Sequence, residues 1–426
     1  MAQQPATATL DPNTGCILLS SAIGRVEEML QRHNYVGVLL VDGSSLLRIE
    51  RDSGTEAYDS VLQQISQCLA NLHGDVIRDD DLVTVTGPYG EQFAIFLGEK
   101  RRAGPLKDAD LEIVADRVYS YLAPTVFEIA RRYLRDVPRI FVGYSFAVNN
   151  PKLRPVRVVP RILEEARDMA RNQARRFGVK NRERIKNLLV NENIKTVYQP
   201  IVRLDDRSVI GYEALSRGPE DTEFHNPSIL FQLAKESDLL FELDRVCRRL
   251  AIENAVNLPP GKIVFVNTLP NTMNDPDFQG EKFKQWLKKI NLDPERIVLE
   301  ITEEQAAEGL DQLRETLDQY RVQGCSVAID DAGTGYSNLE AIMKLEPTYL
   351  KIDMSLVRGI ESSVVKQELI KALSGMANSI KAQVIAEGIE TQAEYETLLE
   401  LGVEFGQGYL FARPGAPFPE LIALPG

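Results

Sequence analysis

The chain has 426 residues, too many for one ordinary hydrophobic core, and its length points to two or three domains, with two the simpler division. With 49 Lys and Arg against 62 Asp and Glu the formal charge is −13, which argues against nucleic acid or an anionic membrane as partner and leaves room for a small anionic ligand held by metal and a few cations. Four cysteines and three histidines, none at paired spacing, argue against a disulfide framework, a zinc site or histidine-based metal chemistry.

In chain order, the N-terminal stretch MAQQPATATLDPNTGCILLSS lacks a basic start and carries only a short apolar run, and no later run reaches membrane-spanning length. The expectation is a cytoplasmic protein without a membrane segment. Residues 161–195, RILEEARDMARNQARRFGVKNRERIKNLLVNENIK, are rich in helix formers and charge, and Gly178 predicts a break that closes a first domain with a helix on each side. Beyond it, β-branched apolar runs recur: KTVYQPIV, VIGYEALSR, KIVFVNTLP, RIVLEITE, SVAIDDAG, YLKIDM, AQVIAEGIE and FGQGYLFA. Stretches with helical spacing separate most of them, among them NPSILFQLAKESDLLFELDRVCRRLAIENAV and SVVKQELIKALSGMANSIKA, and capping boxes are expected at Ser337 with Glu340 and at Thr391 with Glu394. This alternation predicts an α/β fold, a (β/α)8 TIM-like barrel whose site gathers at the carboxyl ends of its strands. An open doubly wound sheet is the weaker alternative, because no Gly-rich phosphate turn follows a first strand.

Every run contains or ends in a polar residue, and in chain order the strand ends would present Gln199, Glu213, Asn267, Glu300, Asp330 with Asp331, Lys351 with Asp353, Glu387 and Gln407. A single such carboxylate is ordinarily a solvated turn residue or a helix cap, and Lys351 with Asp353 could be a plain strand-end ion pair. Gathered around one axis, the series makes a hard, oxygen-only environment suited to Mg²⁺ or Mn²⁺. The adjacent aspartates in AIDDAGTGYS repel each other unless a cation compensates, and two ions there would activate water and steady the oxygens of a phosphoryl group.

The runs YQPIV, YEALSR, FVNTLP, LEITE, AIDDAGTGYSNL, LKIDM, IAEGIE and GQGYLFARP, in this order, resemble the EAL domain family of cyclic di-GMP phosphodiesterases over residues 183–426. That resemblance implies a metal-dependent hydrolase converting cyclic di-GMP to linear pGpG, with two ions. Residue by residue it implies Glu213, Asn267, Glu300 and Asp330 as ligands of one metal, with Asp330 and Asp331 holding the other. It further implies Lys351 beside the attacking water and phosphate, Glu387 and Gln407 as remaining site positions, Arg217 on substrate phosphate, and Gln199 and Leu215 in the substrate pocket. Glu303 matches a glutamate bracing the loop after Asp331, and a homodimer is a further implication. One departure is Ala332, where the family usually has Phe; a small residue there would loosen the packing that keeps Asp331 and the GTG turn in register.

In the first half, GVLLVDGSSLLRIERDSGTEAYDSVLQQISQCL, IRDDDLVTVTGPYGEQFAIFL and ILEEARDMARNQARRFGVKNR resemble segments of the GGDEF diguanylate cyclase fold over residues 30–182, after an N-terminal segment 1–29. This implies an α/β domain with a central antiparallel sheet. The signature is degenerate: YGEQF, Tyr89 to Phe93, stands in its place, so Tyr89 and Gln92 remove a glycine and an acid. Asp42 and Glu91 still match metal positions, but Ser44, Leu47, Glu50 and Arg51 replace the nucleotide-gripping pattern. Cyclase activity is not expected, while GTP or another nucleotide remains a candidate ligand. Arg78 and Asp81 fit the spacing of the family's inhibitory product site, or else RDDD is a charged turn.

Three functions compete. The first is a cyclic di-GMP phosphodiesterase with a degenerate regulatory domain; the second is a receptor that binds cyclic di-GMP without cutting it. The third is another Mg²⁺-dependent barrel enzyme that abstracts a proton with Lys351.

Overall fold

The computed structural model describes residues 9–86, 90–98, 107–130, 132–133, 139–306, 310–333, 339–415 and 417–422. It divides into two compact units, Met1–Glu183 and Arg184–Gly426.

The first unit is built on a five-stranded sheet of β1 (Ile17–Leu18), β2 (Tyr35–Asp42), β3 (Leu82–Val85), β4 (Gln92–Leu97) and β5 (Phe141–Val148), in the order β1-β3-β4-β2-β5. The interior strand β2 pairs antiparallel with both β4 and β5. Its sequence YVGVLLVD is apolar almost throughout because both faces are covered. Period-two alternation sends Val36, Val38 and Leu40 to a core with Ala22, Val26 and Leu30 of the helix Leu19–His33. Leu39 and Val41 face the other way, onto Tyr58, Leu62 and Ile65 of the helix Thr55–Ala70.

The expected break at Gly178 is absent: Pro155–Val190 is one helix of 36 residues. A lone glycine costs a helix about 1 kcal/mol, too little to interrupt so long a run of helix formers.

In the second unit eight strands close a barrel: β6 (Lys195–Arg203), β7 (Val209–Arg217), β8 (Ile263–Asn267), β9 (Ile297–Thr302), β10 (Ser326–Ala332), β11 (Tyr349–Ile352), β12 (Gln383–Ala386) and β13 (Phe405–Gly406). The TIM-like expectation holds with one difference of direction. β6 runs antiparallel to both β7 and β13, so the barrel opens with a hairpin instead of a βα unit; every other pairing is parallel.

Inside the barrel Ile201, Phe265, Val298, Ala328, Ile385 and Phe405 form a buried core. Two residues further along each parallel strand direction, the pleat brings the next inward-facing side chain, and these are Asn267, Glu300, Asp330, Glu387 and Gln407. On reversed β6 the equivalent residue lies two positions earlier, at Gln199, which pairs with Glu213 across the ladder. A dry apolar plug therefore carries a polar layer above it.

Outside the strands a larger apolar shell packs against the surrounding helices. The stretch from residue 227 forms two of them, Pro227–Glu236 and Leu240–Glu253. Thr391 and Glu394 make the expected capping box on the helix Gln392–Glu400; Ser337, of the other expected box, lies outside the described residues. No helix among the described residues is long and apolar enough to cross a membrane.

Candidate functional site

Lys351, on β11, is wholly buried at the centre of the polar layer. Its Nζ lies 2.6 Å from Glu387 Oε1, 2.8 Å from Glu300 Oε1, 3.3 Å from Asp330 Oδ1 and 3.5 Å from Glu213 Oε2. Glu213 is held further by Asn267 Nδ2, which donates to Oε1 at 3.0 Å, and by Gln407 Nε2, which donates to Oε2 at 2.6 Å. The same Gln407 amide reaches Gln199 Oε1 at 3.0 Å, and Gln199 in turn donates to the Ala412 carbonyl at 3.1 Å. All eight strand-end positions thus meet in one layer. Asp353 does not join them: it caps the short helix Met354–Val357, accepting from Ser355 N at 2.9 Å.

Charge in this layer is out of balance. Burial pulls the Lys351 ammonium down, but Asp330, Glu213, Glu300 and Glu387 together hold it well above the usual lysine range. Burial pushes Glu300 well above the usual carboxylate range, with Lys351 opposing and Glu213 and Asp330 adding. Burial raises Asp330 and Glu387 in the same way, against the pull of Lys351. One ammonium does not neutralise four neighbouring carboxylates.

Oxygens of Glu213, Glu300 and Asp330 lie within 4.8 Å of one another, as do those of Asp330, Asp331 and Glu387. Among the described residues, both carboxylate oxygens of Glu300 are sealed from solvent and accept no well-aligned hydrogen bond, the Lys351 ammonium 2.8 Å from Oε1 being an ion-pair neighbour. Orphaned hard donors beside surplus negative charge fit a divalent cation.

The turn after β10 is fixed from two sides. Asp331 takes a left-handed backbone, φ 59°, and its N–H donates to Asp330 Oδ1 at 2.9 Å. Glu303, itself buried, accepts from Gly333 N at 3.2 Å through Oε2. At Gly333 the backbone is at φ 98°, where a side chain is strained, and an added Cβ would also have to displace Leu356 Cδ1. Ala332 is fully buried between these two anchors. Thr334 and Gly335 of the GTG turn lie outside the described residues.

Beside the layer opens a cavity of about 430 Å³, lined by Glu213, Leu215, Arg217, Asn267 and Glu300 on the strand side and by Phe231 and Asp244 on the helix side. Arg217 is partly buried and donates to the Ser216 carbonyl at 2.9 Å; burial lowers its pKa and Glu213 opposes that shift.

Two buried charges, Asp244 in this wall and Arg248 one helical turn behind it, were not anticipated. Asp244 accepts from Leu269 N at 3.3 Å and from the Thr272 hydroxyl. Arg248 donates to the Thr272 carbonyl at 3.0 Å and lies 4.1 Å over the Phe278 ring. Burial pushes Asp244 up to about 6, outweighing Arg248 at 3.7 Å. In ELDRVCRR these residues read as a solvated helix face, and only tertiary packing distinguishes them from one.

In the first unit, Asp42 accepts from Ser44 N at 3.0 Å and from Gln92 Nε2 at 3.5 Å, while Gln92 Oε1 accepts from Arg167 Nε at 3.1 Å. A neutral amide tied to a guanidinium stands where the cyclase resemblance expects an acid. Glu91 is buried nearby, its backbone carbonyl bonded to Gly43 N; Tyr89 lies outside the described residues. Asp81 closes a turn on Arg78, accepting its backbone N–H at 2.8 Å.

A family model described as the EAL domain matches residues 182–414. The chain belongs to the EAL domain family. It is 32% identical over 238 residues to the probable cyclic di-GMP phosphodiesterase PdeB of Escherichia coli K12, covering 54% of this chain and 44% of that protein. It is 26% identical over 410 residues to the cyclic di-GMP phosphodiesterase NbdA of Pseudomonas aeruginosa PAO1, covering 92% of this chain and 50% of that one. Among solved structures, the PaMucR phosphodiesterase in complex with c-di-GMP aligns with a TM-score of 0.51 and 25% identity, over 55% of this EAL chain and 97% of that one. The chain spans about half the length of the curated relatives it matches.

Proposed function

We propose that this chain hydrolyses cyclic di-GMP to linear pGpG at the polar mouth of its barrel, using two Mg²⁺ or Mn²⁺ ions. The observation that carries this reading is the convergence of Glu213, Glu300, Asp330 and Glu387 on one buried ammonium beside a cavity edged by Arg217. Glu213, Asn267, Glu300, Asp330 and Asp331 would hold the ions. Bound there, divalent cations would lower the pKa of water and offset the charge of the diester.

The chain's own groups complete the chemistry. Lys351 stays an ammonium at neutral pH, so it donates toward the nucleophilic water and the phosphate instead of taking a proton. Glu387 is the most open of the four carboxylates around Lys351, 19% exposed against 12% or less for the others, and would accept the water proton once bound cations have displaced the proton that burial leaves on it. Water adds to one phosphorus, the bond to the 3′ oxygen breaks, and a proton passes to the departing oxygen, leaving one 5′-phosphate. Arg217 holds the phosphate and Leu215 lines the pocket, while Gln199 and Gln407 orient Glu213. Glu303 supports the turn that presents Asp331.

The domain reading belongs to the same proposal: residues 1–29 as a leading segment, 30–182 as a degenerate cyclase-like regulatory domain without cyclase activity, 183–426 as the hydrolase. So do nucleotide binding at the first domain, an Arg78–Asp81 inhibitory site and a homodimer. The decisive experiment incubates the full chain with cyclic di-GMP and Mg²⁺ or Mn²⁺ and follows pGpG by chromatography, with a chelator and Glu213→Ala as controls. Metal-dependent pGpG that vanishes in both controls is expected. No product, with calorimetric binding of cyclic di-GMP retained, would establish the receptor instead.

A further inference from the structure

Asn267 is the last residue of β8, and the segment immediately C-terminal to it is anchored at several points. Thr268 is pinned to the neighbouring strand, its N–H donating to the Glu300 carbonyl at 2.9 Å and its hydroxyl to the Val266 carbonyl at 3.0 Å. The next anchors come from the helix Leu240–Glu253. Asp244 receives both the Leu269 N–H and the Thr272 hydroxyl, and Arg248 takes the Thr272 carbonyl while stacking on Phe278. On the same helix, Arg245 pairs with Asp275 at 2.9 Å.

Tying a loop to a helix does not by itself call for buried charge. Leucines would do it, and isosteric apolar groups commonly match or exceed a buried ion pair in stability. Asp244 is 3% exposed and Arg248 1%. What such a pair adds over leucines is direction: two carboxylate oxygens and a planar guanidinium address three particular backbone or hydroxyl groups within four residues. Asp244 also shares the cavity wall with Asn267 and Glu300, so a shift of this segment moves a ligand of the layer.

We propose that Asp244, together with Arg248, is a positioning residue for the metal centre: it fixes Leu269 and Thr272 so that Asn267 presents its carboxamide to Glu213 and the bound cation. The proposal rests on the reading of the polar layer as a metal centre. Asp244 acts through Asn267, as an outer partner acts through a ligand.

The test measures Mn²⁺ binding to the full chain by calorimetry, with melting temperature recorded alongside, for wild type, Asp244→Asn, Thr272→Val and Thr272→Ser. Thr272→Val keeps shape and removes only the hydroxyl donor, which makes it informative if Asp244→Asn fails to fold. Leu287→Ala, a buried truncation in the helix Gly280–Lys289, is the control for loss of stability alone. The expected result is Mn²⁺ affinity about 10-fold weaker in Thr272→Val and Asp244→Asn, near wild type in Thr272→Ser, and unchanged in Leu287→Ala. Thr272→Val that binds Mn²⁺ like wild type, whatever its melting temperature, would reduce the pair to a structural tie and overturn the proposal. Wild type that binds no Mn²⁺, or binds it equally in Glu300→Gln, would instead remove the metal-centre reading and this proposal with it.

Discussion

At the scale of single residues the unusual group is Glu300, an acid with no exposed surface on its side chain and a carboxylate pushed well above its ordinary range by burial. Asp330 and Glu387 are raised alongside it. A raised carboxyl keeps its proton in the folded state at pH values where the unfolded chain has released it, so the folded state binds more protons and its stability falls as pH rises. Metal-free protein should therefore lose melting temperature on going from about pH 5 to pH 8. A divalent cation bound there would replace those protons, and with saturating Mn²⁺ the fall should flatten or reverse. Thermal melts across that range, with and without metal, give the comparison; a metal-free protein that becomes steadily more stable toward pH 8 would contradict the assigned direction. Glu300→Gln imitates the protonated acid and should reduce the slope without metal while abolishing the gain from Mn²⁺.

At the scale of elements the Pro155–Val190 helix offers the plainest check. Gly178 is exposed within it, and a Cβ at that position meets nothing within 4 Å. Gly178→Ala should therefore stabilise the first unit by about 0.5–1 kcal/mol, read as a raised midpoint in urea. A lowered midpoint would restore the break that the sequence suggests. Other element-level features were legible to different degrees, for physical reasons. The polar strand ends were readable because a period of two carries the buried pattern of Phe265, Val298 and Ile385 directly to Asn267, Glu300 and Glu387. The reversal of β6 was not, since alternation looks the same from either end of a strand. Nor was the role of Asp353 as a cap, because a carboxylate two residues after a lysine fits a strand-end pair as well as a helix start. Asp244 and Arg248 were hidden by a charge pattern that most helices turn toward water.

At the scale of the whole molecule the two units have separate cores, and the proposed division of labour can be tested by separating them. Residues 184–426 alone are expected to fold and to retain metal-dependent hydrolysis. The full chain should differ from that fragment in turnover or in its response to added guanine nucleotide. Matching kinetics and matching responses would remove the regulatory role proposed for the first unit.

The barrel is closed by β6 against β13, its first strand against its last. Each of these strands sends one glutamine to the same polar layer, and Gln199 meets Gln407 across 208 residues of chain while Gln407 holds Glu213. During synthesis, Glu213 therefore emerges long before the amide that donates to its second oxygen. A chain truncated or nicked ahead of Gln407 would be left with an open sheet edge and with Glu213 held by Asn267 and Lys351 but not by its second amide. Assembly of the polar layer therefore waits for the last barrel strand, and a copy lacking that strand would present neither the closed barrel nor the complete layer.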